Sequence, residues 1–332
     1  MDEVLAKVGK KTRDRAVAAS DVHIEYLETP IASLNKAMGG GLPYGRQVMF
    51  YGNKSCGKSS ILLQMIAKAQ EQGKSCLWVD VEKTFDPDWA QRLGVDTEKL
   101  RVDQTSSIVK VADDVVEFLK AGIDIVVIDS ISALVPMGYF EKDSEDLKSL
   151  DGTKAMGSLA RDLATAIGMW NEANDNTLLI LISQLRNKLG QTYVSLIPTG
   201  GNAPMFFSST VLRLMSSPSI NEAKKGKLQL GDYVYETPIG REVNWTLENS
   251  KTSQPMQTGT YDFYFAGDFV GADSLGDVID TAIRFGFIKK SGAWLSYGDL
   301  KWQGRDNAVA HFRALPDDFE ILKKEVMEYG NE

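Results

Sequence analysis

Gly52-Asn53-Lys54-Ser55-Cys56-Gly57-Lys58-Ser59 fits the pattern G-x-x-x-x-G-K-[ST]; an apolar run, Val48 to Tyr51, leads into it and a helical pattern follows. The glycines permit a turn whose N–H groups converge on phosphate, and the helix N-terminus adds partial positive charge. Lys58 then reaches the β- and γ-phosphates and the Ser59 hydroxyl ligates Mg²⁺, with Ser60 next on the helix. A glycine turn before an ordinary amphipathic helix is the alternative. Strand, loop, lysine and hydroxyl in one context favour a nucleoside triphosphate bound with Mg²⁺.

A phosphate loop needs an acid on a neighbouring buried strand to hold the metal. Ile123-Asp124-Ile125-Val126-Val127-Ile128-Asp129-Ser130 provides it, with Asp129 at the carboxyl edge where α/β sheets bind ligands and Asp124 at the opposite end. Hydrolysis needs a group that polarises water. Leu77-Trp78-Val79-Asp80-Val81-Glu82 ends in two acids that a period of two puts on one side, and Glu82, nearer the ligand edge, is the better candidate.

Outward from the loop, short β-rich runs (Gln47–Tyr51, Cys76–Val81, Ile125–Ile128, Leu178–Ser183) alternate with helical patterns (Lys58–Gln72, Pro87–Leu93, Ile108–Leu119, Met156–Glu172). That alternation predicts an α/β domain on a mainly parallel sheet. After Ser209 the runs Thr210–Met215, Glu242–Glu248 and Thr260–Phe265 predict an antiparallel extension. Residues 1 to about 20 suit a short amphipathic helix carrying Val4, Leu5 and Val8, and Leu275–Tyr329 a small α/β appendage around Gly292–Trp302.

The chain has 332 residues, 43% hydrophobic and 25% charged, and a net charge of −8, which argues against a generally basic surface and leaves room for a local basic groove. Its apolar stretches fall short of the roughly 20 residues that span a bilayer, and its start lacks a signal core. No membrane role and a cytoplasmic location are expected. Cys56 and Cys76 have no second pair to suggest a metal site or disulfide framework, so both read as free thiols.

The order of parts resembles the RecA family of strand-exchange recombinases, including the phage UvsX-type members, over about Ile31 to Tyr329. The resemblance rests on Gly40-Gly41-Leu42-Pro43-Tyr44-Gly45-Arg46, Asp86-Pro87-Asp88-Trp89-Ala90-Gln91-Arg92-Leu93-Gly94, Ser183-Gln184-Leu185-Arg186-Asn187-Lys188-Leu189-Gly190, Thr199-Gly200-Gly201-Asn202-Ala203 and Gly292-Ala293-Trp294. It implies a RecA-like P-loop ATPase core over residues 23–270, an N-terminal polymerisation helix and linker over 1–22 and a duplex-DNA-binding α/β domain over 271–332. The ligands it implies are ATP and Mg²⁺. Glu82 occupies the family's catalytic glutamate position, Asp86 and Trp89 its adenine contacts, Phe265 an aromatic position flanking the base, and Gln184 the γ-phosphate sensor. Asp86 also reads as a helix cap before Pro87, and both readings can hold together. The family's lysine pair, which reaches a neighbour's ATP, is reduced here to Lys251, because Asn249 stands at the other position.

Two stretches lie where the family's DNA-binding loops lie. Residues 141–157 are acidic, which phosphate repels, so Met156, Gly157 and Arg161 on the following helix are the candidate contacts. Gly168 stands where the family often carries a basic residue. Residues 186–202 start with Arg186 and Lys188 and end on Gly200-Gly201-Asn202, whose amides suit a backbone phosphate; Leu189 and Tyr193 are candidate base contacts. Arg284, Lys289, Lys290, Lys301 and Arg305 form the basic side of the C-terminal region. The expected partners are single-stranded DNA, duplex DNA, further copies of the chain in a filament, and single-strand-binding and loader proteins. The absence of a long acidic tail and the short N-terminal segment lean towards a phage-type member.

The function implied is a DNA-dependent ATPase that polymerises on single-stranded DNA and exchanges strands. A hexameric motor such as a replicative helicase, or a ring ATPase of the KaiC or RadA type, is a second reading, disfavoured by Gly292-Ala293-Trp294. A nucleotide-gated DNA-binding mediator with negligible turnover is a third, raised by Asn249.

Overall fold

The computed structural model describes residues 4, 7–10, 16–136, 152–187 and 196–329. Two short strands, β1 (Tyr26–Leu27) and β2 (Leu42–Pro43), pair around α1 (Ala32–Met38). The nucleotide-binding pattern then appears as β3 (Gln47–Gly52), the loop, and α2 (Lys58–Glu71). It is followed by β4 (Cys76–Asp80), α3 (Pro87–Arg92), β5 (Arg101–Asp103), α4 (Ile108–Lys120) and β6 (Ile125–Asp129). Next come α5 (Gly152–Ala173), β7 (Leu178–Asn187), β8 (Leu196–Pro198) and α6 (Ala203–Phe207). The strands β9 (Thr210–Ser216), β10 (Lys224–Leu230), β11 (Tyr233–Ser250), β12 (Gln257–Tyr264) and β13 (Gly271–Ala272) complete the large sheet.

Strand order is β13-β12-β11-β9-β3-β7-β6-β4-β5, with β10 on β11 and β8 on β7. From β9 to β5 all pairs are parallel, while β11, β12 and β13 add antiparallel. The parallel strands are continuously apolar because helices cover both faces. Alternate residues feed separate cores. Val48, Phe50, Trp78, Val127 and Ile180 pack with α2, whereas Met49, Leu77, Val126, Ile128 and Leu181 pack with Leu163 and Trp170 of α5 and Val111 and Val115 of α4.

The α/β core, the antiparallel extension and the C-terminal unit all appear as the sequence predicts. Three local expectations change. The run Leu77–Glu82 stops being a strand at Asp80, so a period of two does not carry Asp80 and Glu82 to one side. The first loop was expected to run to Gly157, but α5 already starts at Gly152; residues 141–151 lie outside the described residues. The second stretch is not wholly irregular either, since β7 extends through Arg186, which pairs with Ile197 of β8. Lys188, Leu189 and Tyr193 lie outside the described residues, as does most of the expected N-terminal helix, and Ala19–Asp21 forms a single 3-10 turn. The β10–β11 hairpin was not anticipated. Its segment Lys224-Lys225-Gly226-Lys227 lacks apolar alternation, and much of the ribbon is exposed.

The C-terminal unit comprises α7 (Ser274–Phe285), a sheet of β14 (Lys289–Ser291), β15 (Trp294–Tyr297) and β16 (Leu300–Gln303), α8 (Arg305–Ala314) and α9 (Pro316–Glu328). Its own core holds Ile279, Leu295, Trp302, Phe312 and Leu322, and includes Ala32 of α1. The unit is also pinned to α1 by polar bonds. The Lys36 ammonium donates to the carbonyls of Met327 (3.1 Å) and Tyr329 (2.5 Å), and Asp277 accepts from the Ser33 N–H (2.9 Å) and hydroxyl (2.5 Å).

Burial pushes the Asp277 carboxyl up to about 6 against the pull of the Ser33 bonds. A raised acid favours the fold while protonated, so its stabilising contribution is lost as pH rises from the ordinary carboxylate range through about 6. Asp277→Asn is expected to flatten that part of the pH dependence, gaining on the parent by up to about 2 kcal/mol between pH ~4 and ~6.5. Urea midpoints measured across this range check it.

Candidate nucleotide site at the carboxyl edge of the sheet

Register fixes which residues face one another at the ligand edge. Gly52, the last residue of β3, pairs with Gln184 of β7 on one side and Leu214 of β9 on the other; Asp80 pairs with Asp129 between β4 and β6. Gly52 admits no other residue, because a Cβ would lie 1.7 Å from the Leu214 carbonyl oxygen. The loop then leaves the sheet through Ser55 (φ 59°) and Gly57 (φ 88°), left-handed conformations that cost a side-chain-bearing residue about 1 kcal/mol or more.

The loop encloses a cavity of about 220 Å³ lined by Lys54 to Ser60 on one side and by Glu82, Thr84, Asp129, Ile182 and Gln184 on the other. Most of the expected phosphate residues are therefore brought together, and Gly52 and Asn53 act behind them. The Asn53 side chain exchanges bonds with the Ser216 backbone, donating to its carbonyl (2.7 Å) and accepting from its N–H (3.1 Å), which latches the loop to β9. The buried Lys58 ammonium donates to the Asn53 carbonyl (2.8 Å), so a cation already faces the cradle.

On the opposite wall the Ser59 hydroxyl donates to Asp129 (2.6 Å). Burial pushes Asp129 up to about 6, opposed by that bond, and Glu82 raises it further by repulsion. Among the described residues no group of three or more His, Cys, Asp or Glu is arranged to hold a metal ion. A hydroxyl beside one carboxylate nevertheless fits Mg²⁺, a hard cation that takes one or two protein oxygens and completes its shell from phosphate and water. Asp124 lies at the far end of β6, bonded to the Ser75 N–H and hydroxyl and paired with Lys74 at 3.5 Å.

Glu82 accepts two bonds at one oxygen, from the Ser130 hydroxyl (2.5 Å) and the Gln184 amide (2.8 Å). The sequence placed Glu82 and Gln184 separately; their direct contact, and the Ser130 bond to the same Glu82 oxygen, come only from the fold. Gln184 is in turn held by its own N–H on the Ser132 hydroxyl (2.9 Å), and Ser183 beside it accepts from the Thr199 N–H (3.0 Å). A continuous set of bonds thus runs from Glu82 to the residue before Gly200.

The expected base residues lie outside this cavity, at its flank. Asp86 caps α3 by accepting from the N–H groups of Asp88 and Trp89, with Pro87 at the first helical position. The Trp89 indole donates to the Ser60 hydroxyl (3.1 Å), and the Arg92 guanidinium lies 5.2 Å from its ring. Phe265 is covered by Arg241 at 5.5 Å, which also donates to the Ser55 carbonyl (3.1 Å). Arg241, Thr84 and Ser130 were missed by sequence reasoning, and only Ser130, next to Asp129, had a local signal.

Lys251 is not at this edge. Its N–H donates to Ser209 (2.8 Å), whose own N–H donates to Gln47 (2.8 Å) at the start of β3, so Lys251 lies about 16 Å along the sheet from Gly52. Asn249 sits beside it, its amide 3.5 Å from the Ser208 carbonyl. Of the expected DNA residues, Gly157 and Arg161 are exposed on α5, and the Met156 side chain lies outside the described residues. Gly200 (φ 103°) and Gly201 (φ 76°) pack closely on α5: added Cβ atoms would meet Leu163 at 2.8 Å and Ala160 at 3.0 Å. Asn202 precedes α6 without a side-chain capping bond.

Family models agree with this architecture. The model described as the RecA N-terminal domain matches residues 1–269, and that described as the RecA C-terminal domain matches residues 276–330. A curated relative named Protein RecA from Trichormus variabilis is 34% identical over 333 residues, covering 99% of this chain and 87% of its own. A namesake from Chlorobaculum tepidum is 36% identical over 292 residues (86% and 78%), and one from Rhizobium rhizogenes 33% over 302 (89% and 78%). With both domains matched in order and the ligand edge built as the fold requires, this chain belongs to the RecA family of recombinases.

Proposed function

We propose that the chain is an ATP-dependent recombinase that forms filaments on single-stranded DNA, pairs it with homologous duplex and exchanges strands, with DNA-stimulated hydrolysis of ATP to ADP and phosphate. The observation that carries this reading is the Gln184–Glu82 bond in the wall of the phosphate cavity, because it ties the group that would polarise water to a strand leading into a candidate DNA-binding segment. Residues 1–22, 23–270 and 271–332 are read as polymerisation segment, ATPase core and duplex-binding domain.

In this reading the triphosphate lies on the loop amides from Asn53 to Ser60 and Lys58 turns from the Asn53 carbonyl to the β- and γ-phosphates. Ser59 and Asp129 would hold Mg²⁺, which supplies charge neutralisation across the phosphates when bound. Glu82 accepts the proton of the attacking water. The Gln184 amide, free to donate to either partner, leaves Glu82 for the γ-phosphate and so reports nucleotide state along β7 to Thr199. Trp89, Asp86 and Phe265 receive the adenine, and Lys251 of a neighbouring copy completes the far side.

DNA would meet Met156, Gly157 and Arg161 of α5, Arg186 of β7, Lys188, Leu189 and Tyr193 in the sequence that follows it, and the Gly200-Gly201-Asn202 turn. For duplex, the outward face of the C-terminal sheet aligns Lys289, Ser296 and Lys301 in one cross-strand row and Ser291, Trp294 and Gln303 in the next, with Trp294 53% exposed and no acid among them. Self-assembly is supported by a groove of about 340 Å³ between α4 and α5. Ile108, Val109, Ala112 and Met169 line it, with Asp113 and Asp162 at its rim. The N-terminal segment offers the complement, Val4, Leu5 and Val8 with Lys7, Lys10 and Lys11. Single-strand-binding and loader proteins are further partners in this reading. No helix among the described residues is long and apolar enough to cross a membrane, and the proposed location is the cytoplasm of a bacterium or phage-infected bacterial cell.

Asn249 favours a second reading, a nucleotide-gated mediator with little turnover, since its amide lacks the charge that stabilises a leaving phosphate. Electron microscopy with single-stranded DNA and a non-hydrolysable ATP analogue, beside ATPase assays with and without DNA, decides between them. Filaments with DNA-stimulated turnover are expected; filaments without turnover support the mediator, and closed rings or no ordered assembly count against polymerisation. Glu82→Gln is expected to lower turnover by about a hundredfold or more while ATP still binds. Because Asp129 must be ionised to ligate Mg²⁺, the Mg²⁺-dependent part of nucleotide affinity is expected to fall about tenfold per pH unit below about 6, read with a fluorescent nucleotide. Trp294→Ala should weaken duplex capture and leave single-strand binding intact in filter-binding assays.

A further inference from the structure

Asp80 ends β4 with 1% of its surface exposed, and its carboxylate does not line the phosphate cavity. It faces no cation in an ion pair among the described residues, yet three N–H donors converge on it: the backbone of Thr84 (3.0 Å) and of Phe85 (3.0 Å), and the side-chain amide of Gln104 (3.0 Å). A buried carboxylate is stable in such a place only when several donors satisfy it. Its partners are also informative. Thr84 and Phe85 close the turn that carries Glu82, in which Lys83 holds φ at 56°, a left-handed conformation that a lysine does not adopt unaided. Val81 is anchored at the same time, its N–H on the Asp129 carbonyl (2.8 Å).

We infer that Asp80 and Gln104 form a positioning pair that holds the Val81–Phe85 turn, and with it Glu82 and Thr84, in the geometry required for attack on the γ-phosphate. The inference rests on the ATPase reading given above. Neither residue touches the space where nucleotide would bind, so their effect would pass through Glu82. Gln104 also lies just ahead of α4, whose first residues are tied to the Val135 segment by Ile108 N–H to Val135 (3.2 Å) and Val135 N–H to Ser106 (2.8 Å). The pair therefore joins the glutamate turn to the start of the helix that borders the α4–α5 groove.

The test compares Gln104→Ala, Asp80→Asn, Glu82→Gln and the double variant Glu82→Gln/Gln104→Ala in the full chain, with melting temperature, affinity for a fluorescent ATP analogue, kcat and KM all measured. Gln104→Ala is expected to lower kcat by about fivefold or more, with nucleotide affinity within about twofold of the parent, and to cause no further loss on the Glu82→Gln background. Asp80→Asn should lower kcat by more, because its amide would present N–H groups to N–H donors; if it fails to fold, Gln104→Ala carries the test alone. An unchanged kcat in folded Gln104→Ala overturns the inference, as does a full additional loss in the double variant. If Glu82→Gln lowers turnover and Gln104→Ala does not, the positioning role fails while the role of Glu82 stands. Parental turnover in Glu82→Gln removes the role of Glu82 itself, and the pair with it.

Discussion

The contact between Gly52 and the Leu214 carbonyl is the constraint on which the ligand edge depends. With no room for a side chain, β3 and β9 close to a distance that lets Asn53 latch onto Ser216 and turns the following amides outward over the sheet. The same strand on its other side holds Gln184 level with Gly52. A slip of one residue in either pairing would face each alternate side chain to the wrong core, so the two apolar layers enforce the register that assembles the site.

Chemical motifs with a fixed spacing were legible in the sequence, and contacts between distant segments were not. The phosphate loop, the buried strands and the Asp86-Pro87 helix start each declare themselves within a few residues, because local turn chemistry and periodicity determine them. Glu82 and Gln184 are 102 positions apart, and nothing in either neighbourhood says that they share a hydrogen bond. The position of Asp80 misled for a related reason. Strand alternation assumes that the strand continues, and here it stops at Asp80, where the chain turns through a left-handed Lys83 and leaves the carboxylate buried. The β10–β11 ribbon escaped notice because a half-exposed hairpin rich in lysine and glycine has no apolar face long enough to show a period.

The two acids raised to about 6 serve different parts of the molecule. Asp129 sits where a divalent cation would relieve its burial, whereas Asp277 accepts hydrogen bonds from Ser33 at the contact between α7 and α1. Together with the Lys36 bonds to the last turn of α9, that contact fastens the C-terminal unit to the chain just ahead of β3. The basic outer face around Trp294 is therefore carried on a body braced against the α/β core at both its beginning and its end.

Lys251 and Gly52 occupy opposite edges of one sheet. Any assembly in which Lys251 of one copy completes the cavity of the next is head to tail, and such contacts have a direction. One terminal protomer then presents a cavity without its lysine and the other a lysine without a cavity, so the two ends are chemically unlike and can add or lose subunits at different rates. Polarity of growth would follow from the height of a single β-sheet.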